Sequence, residues 1–306
     1  MVKNELTVNN IHLNFTHLDK LLFLNPNINK GEVIEYYLKT SQYFLRYVKK
    51  RPLTLQRFPK GTQLPGFIQK HADFFPEWLE RVELPTKTEP MFYVLANKKA
   101  DLGYLVNLNT IAFHSTFSTI DKIDYPDTLI WDLDPSDGDF DKVIAVAFKI
   151  KAFADEHHIK LLLKTTGSKG LHIYAPLNKR LNFETIHLFS KNIANFLADR
   201  FPKEITTEQL KANRKGRVLI DYARNSYGQT AVSPYSLRAL PEAPIATPIK
   251  WEELGTAVLD SKQFNLNNIF DRINTVGDIW NTKLMKNPNI DAFIHQINQE
   301  YQKASF

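Results

Sequence analysis

Apolar side chains recur at Val33, Ile34, Tyr37, Leu38, Phe44, Leu45 and Val48, close to helical spacing, so residues 31–50 predict an amphipathic helix. Arg51-Pro52 ends it, because a proline disfavours helical geometry in the residue before it. The runs PLTLQRF (52–58) and GFIQKHA (66–72) read as short strands about a turn at Lys60-Gly61. FYVLA (92–96) and LGYLVNL (102–108) are further strand candidates. Residues 1–125 are therefore expected to form an N-terminal α+β lobe.

The middle of the chain has a sharper rhythm. TLIWDLD (128–134) is a short apolar run closed by Pro135 and Gly138, hence a strand. Asp141 to His157 carries Val143, Ile144, Ala147, Ile150 and Phe153 at helical spacing, with Asp139 or Asp141 near the start as cap. KLLLKT (160–165) and LHIYAPL (171–177) flank the turn TGSKG and predict a hairpin. Asn182 to Arg200 is a second amphipathic helix, and GRVLIDY (216–222) a fourth strand. The order β-α-β-β-α-β is that of the split βαβ, ferredoxin-like arrangement, in which the third strand lies between the first and second. Residues 126–240 would form this RNA-recognition-like subdomain, and 241–306, rich in Pro and then helical in pattern, a C-terminal flanking segment.

Composition narrows the chemistry. The 306 residues are 43% apolar and contain no Cys, which excludes disulfides, thiolate-bound zinc, iron–sulfur clusters and thiol nucleophiles. Any metal must be held by oxygen or imidazole. The polar start MVKNELTVNN lacks the apolar core of a leader, and no window approaches the ~18 apolar residues of a membrane span, so a cytoplasmic location is expected.

Net charge is +6, but its distribution says more. From Tyr36 to His71 there is no acidic residue, while Lys39, Arg46, Lys49, Lys50, Arg51, Arg57, Lys60 and Lys70 supply eight cations. Tyr36, Tyr37, Tyr43, Phe44, Tyr47, Phe58 and Phe67 are interleaved with them. Cations for phosphates beside rings for bases are what a nucleic-acid surface requires, although a solvated helix face over aromatic core gives the same composition.

Asp132 and Asp134 stand at i and i+2, so strand alternation puts both carboxylates on one face. Such a pair suits a divalent cation with hard oxygen ligands, and equally suits an ordinary turn before Pro and Gly. Asp221 interrupts the apolar run of the fourth strand, and three carboxylates on neighbouring strands could hold two ions for nucleotidyl transfer, if strand register lets them meet. The turn from Lys164 through Thr166, Ser168 and Lys169 to Gly170 offers backbone N–H groups, hydroxyls and a cation to a triphosphate, but lacks the P-loop spacing. His172, polar on a buried strand beside the DxD strand, is a candidate phosphate partner.

WDLDP, KTTGSKGLHIY, VLIDYARN and AVSPYSLRALPEAPIATPIKWEEL together resemble the polymerase domain of bacterial ligase D, within the archaeo-eukaryotic primase superfamily. FTHLDKLLF, RPLTLQRFPKG and GFIQKHA match the same family, so the resemblance spans nearly the whole chain. It implies an α+β primase-polymerase fold and a template-dependent polymerase, often adding ribonucleotides, that fills gaps or extends DNA ends in non-homologous end joining. By motif position Asp132, Asp134 and Asp221 resemble the ligands of two Mn²⁺ or Mg²⁺ ions, and His114 joins the catalytic set. Thr166, His172, Arg224 and Arg238, with Ser168 and Lys169 of the turn, correspond to the nucleotide site. His17, Lys20 and Lys30 resemble a pocket for a 5′-phosphate, in a lobe whose Arg57, Phe67 and Lys70 would also contact DNA. Implied partners are a DNA end or gapped duplex, NTP or dNTP, a Ku-like end-binding protein and a ligase. Two departures stand out: Thr166 replaces the family's usual Ser, and Phe67-Ile68 replaces a pair of Phe. A primase that starts chains without a primer and a non-catalytic nucleic-acid binder are the competing readings. Carboxylates and His172 in place of paired aromatics on the central strands favour catalysis.

Overall fold

The computed structural model describes residues 3–86, 89–258, 260–280 and 286–304, so the C-terminal segment 241–306 is seen in part. The chain falls into two compact units. One comprises Met1–Asp121, Thr230–Thr247 and Phe264–Thr275; the other comprises Lys122–Gln229, Pro248–Gln263 and Val276–Phe306. Among the described residues no helix is long and apolar enough to cross a membrane.

The first unit opens with two antiparallel hairpins, β1 (Glu5–Val8) with β2 (Ile11–Asn14) and β3 (Leu21–Leu24) with β4 (Asn27–Asn29). Helix α1 (Lys30–Val48) starts at a capping box: the Asn29 side chain accepts from Glu32 N, and the Glu32 carboxylate accepts from Asn29 N. Its inner face buries Val33, Ile34, Tyr36, Tyr37, Phe44 and Val48. The Tyr36 hydroxyl donates to Tyr235 O at 2.7 Å and the Tyr37 hydroxyl to Ile111 O at 2.6 Å. Burial without those partners would cost each hydroxyl its hydration, so the acceptors are what let the rings sit inside. Tyr36, Tyr37 and Phe44 are thus core, not stacking surface.

β5 (Leu53–Arg57), β6 (Phe67–Gln69), β7 (Arg81–Leu84) and β8 (Met91–Val94) follow. The LGYLVNL stretch, expected as a strand, is instead helix α2 (Lys99–Asn107). Two features override its β-like composition. The Asp101 carboxylate accepts from the backbone N–H of Asn97 and Lys98 at 2.8 and 3.0 Å, closing the first turn. Ala100, Leu102, Leu105 and Val106 are then buried at helical spacing. With β9 (Thr110–Thr116) the sheet runs β9-β5-β8-β7, and β6 pairs with β5 as a side hairpin.

The second unit begins with β10 (Thr128–Pro135), followed by α3 (Phe140–Glu156), β11 (Leu162–Thr165), β12 (Leu171–Pro176), α4 (Phe183–Arg200), β13 (Ile205–Thr206) and β14 (Val218–Asp221). Asp139 is the cap of α3, accepting from Asp141 N and Lys142 N. β10 and β12 are central, β12 lies between β10 and β11, and every contact among β14, β10, β12 and β11 is antiparallel. The Trp131 ring meets Phe189 of α4 and its indole N–H points at Ser190 O, so the odd-numbered residues of β10 face the helices. Alternation sends Asp132 and Asp134 to the opposite face. β15 (Thr230–Val232) returns to the edge of the first sheet beside β9, and β16 (Pro248–Ile249) extends the second beside β11. α5 (Ile269–Val276) precedes α6 (Ile290–Ala304), which packs on α4 through Phe293 against Phe189 and an Asn192–Asn298 amide hydrogen bond.

Candidate active site

Strand register builds the centre of the site. Asp132 of β10 is paired with Asp221 of β14 on one side and with His172 of β12 on the other, and His172 is in turn paired with Lys164 of β11. Directly opposed residues project from the same face, so the sheet displays a row Asp221, Asp132, His172, Lys164 across four strands. His172 Nε2 lies 3.3 Å from Asp132 Oδ1 and its Nδ1 3.2 Å from the Tyr174 hydroxyl. Tyr174 packs edge-on against Trp280, whose indole N–H donates to Leu163 O at 3.1 Å. The imidazole is therefore oriented from behind.

Each carboxylate meets a protein cation. Arg224 Nε stands 3.6 Å from Asp132 Oδ2 and 3.3 Å from Asp221 Oδ2. Asp134 Oδ2 is held at 2.9 Å by Arg214 Nη1, a buried guanidinium that also donates to Glu208 O and Gln209 O. Burial alone would push the Asp132 carboxyl up, but the charge and hydrogen bond of His172, aided by Arg224 and Lys164, hold it below the usual carboxylate range. Asp221 moves the other way: burial, and then the charge of Asp132, raise it against the pull of Arg224. One member of the facing pair is thus held ionised while the other resists ionisation.

Among the described residues no three His, Asp or Glu side chains are grouped closely enough to hold a metal ion, and Asp134 is paired with Arg214. The donor set nevertheless suits a hard divalent cation, being oxygen-rich, partly buried and already matched to positive charge by guanidinium groups.

Two supports explain why the centre has this shape. Asn225, 2% exposed, accepts from Ile130 N at 2.8 Å and donates to Ile130 O and Ser190 Oγ. Its amide continues the β10 ladder beyond the end of β14 and fixes the turn that carries Arg224. Gly170 sits so close to β10 that a Cβ there would be 1.8 Å from Leu133 O. The TGSKG turn is thereby clamped beside the DxD segment. Within the turn Thr166 Oγ1 accepts from Ser168 N and Gly170 N, both at 3.2 Å, so its oxygen shapes the loop. Ser168 O accepts from Ser261 Oγ, and Lys169 is exposed.

The other anticipated residues belong to the first unit. His114 is on β9, in register with Thr54 and Val232, and Arg238 follows the Leu237–Ile245 bridge. His17, Lys20 and Lys30 gather where the 17–20 loop closes on α1: Lys30 N donates to Lys20 O and Gly31 N to Leu18 O. The first-turn N–H groups are thus occupied; Lys20 is exposed, whereas Lys30 is buried. Lys30 Nζ donates to Thr16 O at 2.7 Å, and burial, followed by the charge of Lys20, lowers its pKa to about 8. Lys20 Nζ donates to Pro59 O. Arg57 is paired across the hairpin with Phe67, and Lys70 donates to the Tyr93 hydroxyl at 3.0 Å. Sequence reasoning missed Arg214 and Asn225 as supporting residues. The basic run Lys211, Arg214, Lys215, Arg217 just before the Asp221 strand is the signal that points to the first.

Facing carboxylates on the neighbouring strands β10 and β14, bordered by cationic side chains, form an arrangement suited to phosphate-ester chemistry of the nucleotidyl-transfer class. The family model "LigD, primase-polymerase domain" matches residues 29–280. The bifunctional non-homologous end joining protein LigD of Bacillus subtilis is 30% identical over 94% of this chain and 47% of its own length. The multifunctional LigD of Mycolicibacterium smegmatis is 29% identical over 86% of this chain and 35% of its own length. The polymerase domain of Mycobacterium tuberculosis ligase D, solved in complex with DNA, superposes with a TM-score of 0.81 at 25% identity, covering 87% of this chain and 96% of that one. The chain belongs to the LigD primase-polymerase family, and is a metal-dependent nucleotidyltransferase of the DNA polymerase class. It spans half or less of the length of these curated relatives.

Proposed function

We propose that the chain is a template-directed polymerase that fills gaps or extends broken DNA ends in non-homologous end joining, with a preference for ribonucleotides. The observation that carries this reading is the cross-strand row of Asp221, Asp132, His172 and Lys164, in which the two carboxylates are partly buried and His172 and Lys164 are buried. The primer 3′-hydroxyl attacks the α-phosphate of the incoming nucleotide and pyrophosphate leaves. Two Mn²⁺ or Mg²⁺ ions on Asp132, Asp134 and Asp221 would supply Lewis acidity for that exchange. His172 and Tyr174 orient Asp132, and Arg224 balances the facing carboxylates. Thr166, Ser168 and Lys169, with His114 and Arg238, contribute to nucleotide binding.

His17, Lys20 and Lys30 would receive the 5′-phosphate across a gap, with Arg57, Phe67 and Lys70 on the same DNA. A Ku-like end-binding protein and a ligase are the partners this role requires, in keeping with relatives named for end joining. Primer extension on a gapped duplex with a recessed 5′-phosphate, with Mn²⁺ or Mg²⁺ and either NTP or dNTP, tests the reading. Template-dependent extension is expected, and its absence with DNA binding intact would overturn it. Strand synthesis without any primer would instead assign the chain as a primase.

The 5′-phosphate pocket carries its own pH signature. Lys30 must be charged to hold a phosphate, and in the free protein it loses its proton near pH 8. Preference for 5′-phosphate over 5′-hydroxyl ends should be full at pH 6.5 and decline as pH rises through about 8. Lys30→Met should show no preference at either pH. Competition binding with paired oligonucleotides measures this, and a preference that stays flat to pH 9.5 would remove Lys30 from the pocket.

A further inference from the structure

Away from the carboxylates, the first unit presents two phenyl rings on one guanidinium. Phe67 is 46% exposed and Phe74 60% exposed. The Arg57 guanidinium carbon lies 5.2 Å from the Phe67 ring centre and 5.9 Å from that of Phe74. Arg57 is itself only 9% exposed, with Nε donating to Leu108 O at 2.8 Å and Nη1 donating to Gln69 Oε1. Phe74 is braced a second time, edge-on at 5.3 Å against the buried Phe75. Both rings are therefore held in water by fixed partners, which is costly for apolar surface and needs a reason.

We propose that Phe74, together with Phe67, forms a stacking platform for unpaired bases of the DNA strand bound by this unit. The proposal deepens the polymerase reading and rests on it for the identity of the strand. Flat π faces take any base, and rings already immobilised lose little entropy when a base settles on them. The cation beneath them favours a polyanion over an apolar protein surface, and Lys70 follows Gln69 directly in the chain. Position 68, next to Phe67, is the aliphatic Ile68, so the second aromatic face available to Arg57 comes from position 74.

The test uses the full chain and a duplex with a single-stranded overhang carrying 2-aminopurine at successive unpaired positions, without nucleotide. Wild type should quench the probe at one or two positions. Phe74→Leu should abolish that quenching and weaken overhang binding about tenfold, while blunt-duplex affinity changes less than about twofold. Phe74→Tyr should retain both properties. Absence of quenching at every unpaired position in wild type overturns the platform, whatever the variants do. Wild-type quenching that survives in Phe74→Leu overturns the role of Phe74. Because no synthesis is involved, a wild type that quenches but never extends a primer leaves the platform standing and defeats only the polymerase reading.

Discussion

Asp132→Asn is expected to reduce primer extension by at least about 10³-fold while leaving the fold and the affinity for gapped DNA close to wild type. Loss of one carboxylate ligand to the ions that would supply Lewis acidity is worth several kcal/mol, and each 1.36 kcal/mol is about a factor of ten in rate. Asparagine keeps the shape and hydrogen-bonding capacity of the side chain, so the change isolates charge. Because Asp132 helps to raise Asp221, the Asp221 carboxyl should titrate closer to its ordinary value in this variant, with burial still opposing the return. Extension assays and a carboxyl NMR titration would check the two halves separately. Activity within about tenfold of wild type would remove Asp132 from the catalytic set.

Gly170→Ala should damage both stability and activity. The Gly170 φ is not among the positive values, so the alanine backbone is permitted and the whole effect is steric. Its methyl would lie 1.8 Å from Leu133 O and 3.0 Å from Leu133 C, both backbone atoms that cannot swing aside. The turn has to lift off β10, and the first residues of β12, Leu171 and His172, are paired there with Leu133 and Asp132. A loss of about 3 kcal/mol is expected from overpacking of this kind, readable as a shift in urea midpoint. Extension should fall in parallel, because His172 is drawn away from Asp132. A variant as stable and active as wild type would show that the clamp is dispensable.

Much of the centre was legible because strand alternation is a strong code. The run TLIWDLD announced a strand and its period of two put Asp132 and Asp134 on one face, which is where they lie. The meeting of Asp132 with Asp221 was not legible: a one-residue slip of Val218-Leu219-Ile220 preserves the apolar character of the run and reverses its faces. Arg214 and Asn225 escaped because they act from a loop and a short turn, where no periodicity marks a role. α2 escaped because LGYLVNL is a short apolar run that length alone lets pass for a strand, whereas the Asp101 cap that decides the matter acts on residues preceding the run. The interleaved aromatics after Tyr36 misled for a related reason, since composition does not say which side of α1 a ring occupies. Only the buried hydroxyl partners of Tyr36 and Tyr37 do.

The charged row across β14, β10, β12 and β11 also acts as a checksum on the sheet. If β14 docked one residue out of step, Asp221 would turn toward α4, whose Phe189 packs on Trp131, a polar carboxyl facing hydrocarbon. A slip of β12 would send His172 the same way. Burying such a group without a partner costs several kcal/mol, more than a slipped apolar strand forfeits in packing. The side chains that make the face reactive therefore discriminate against misaligned sheets while the chain is folding, so replacing Asp221 or His172 by an apolar residue should loosen strand alignment as well as chemistry.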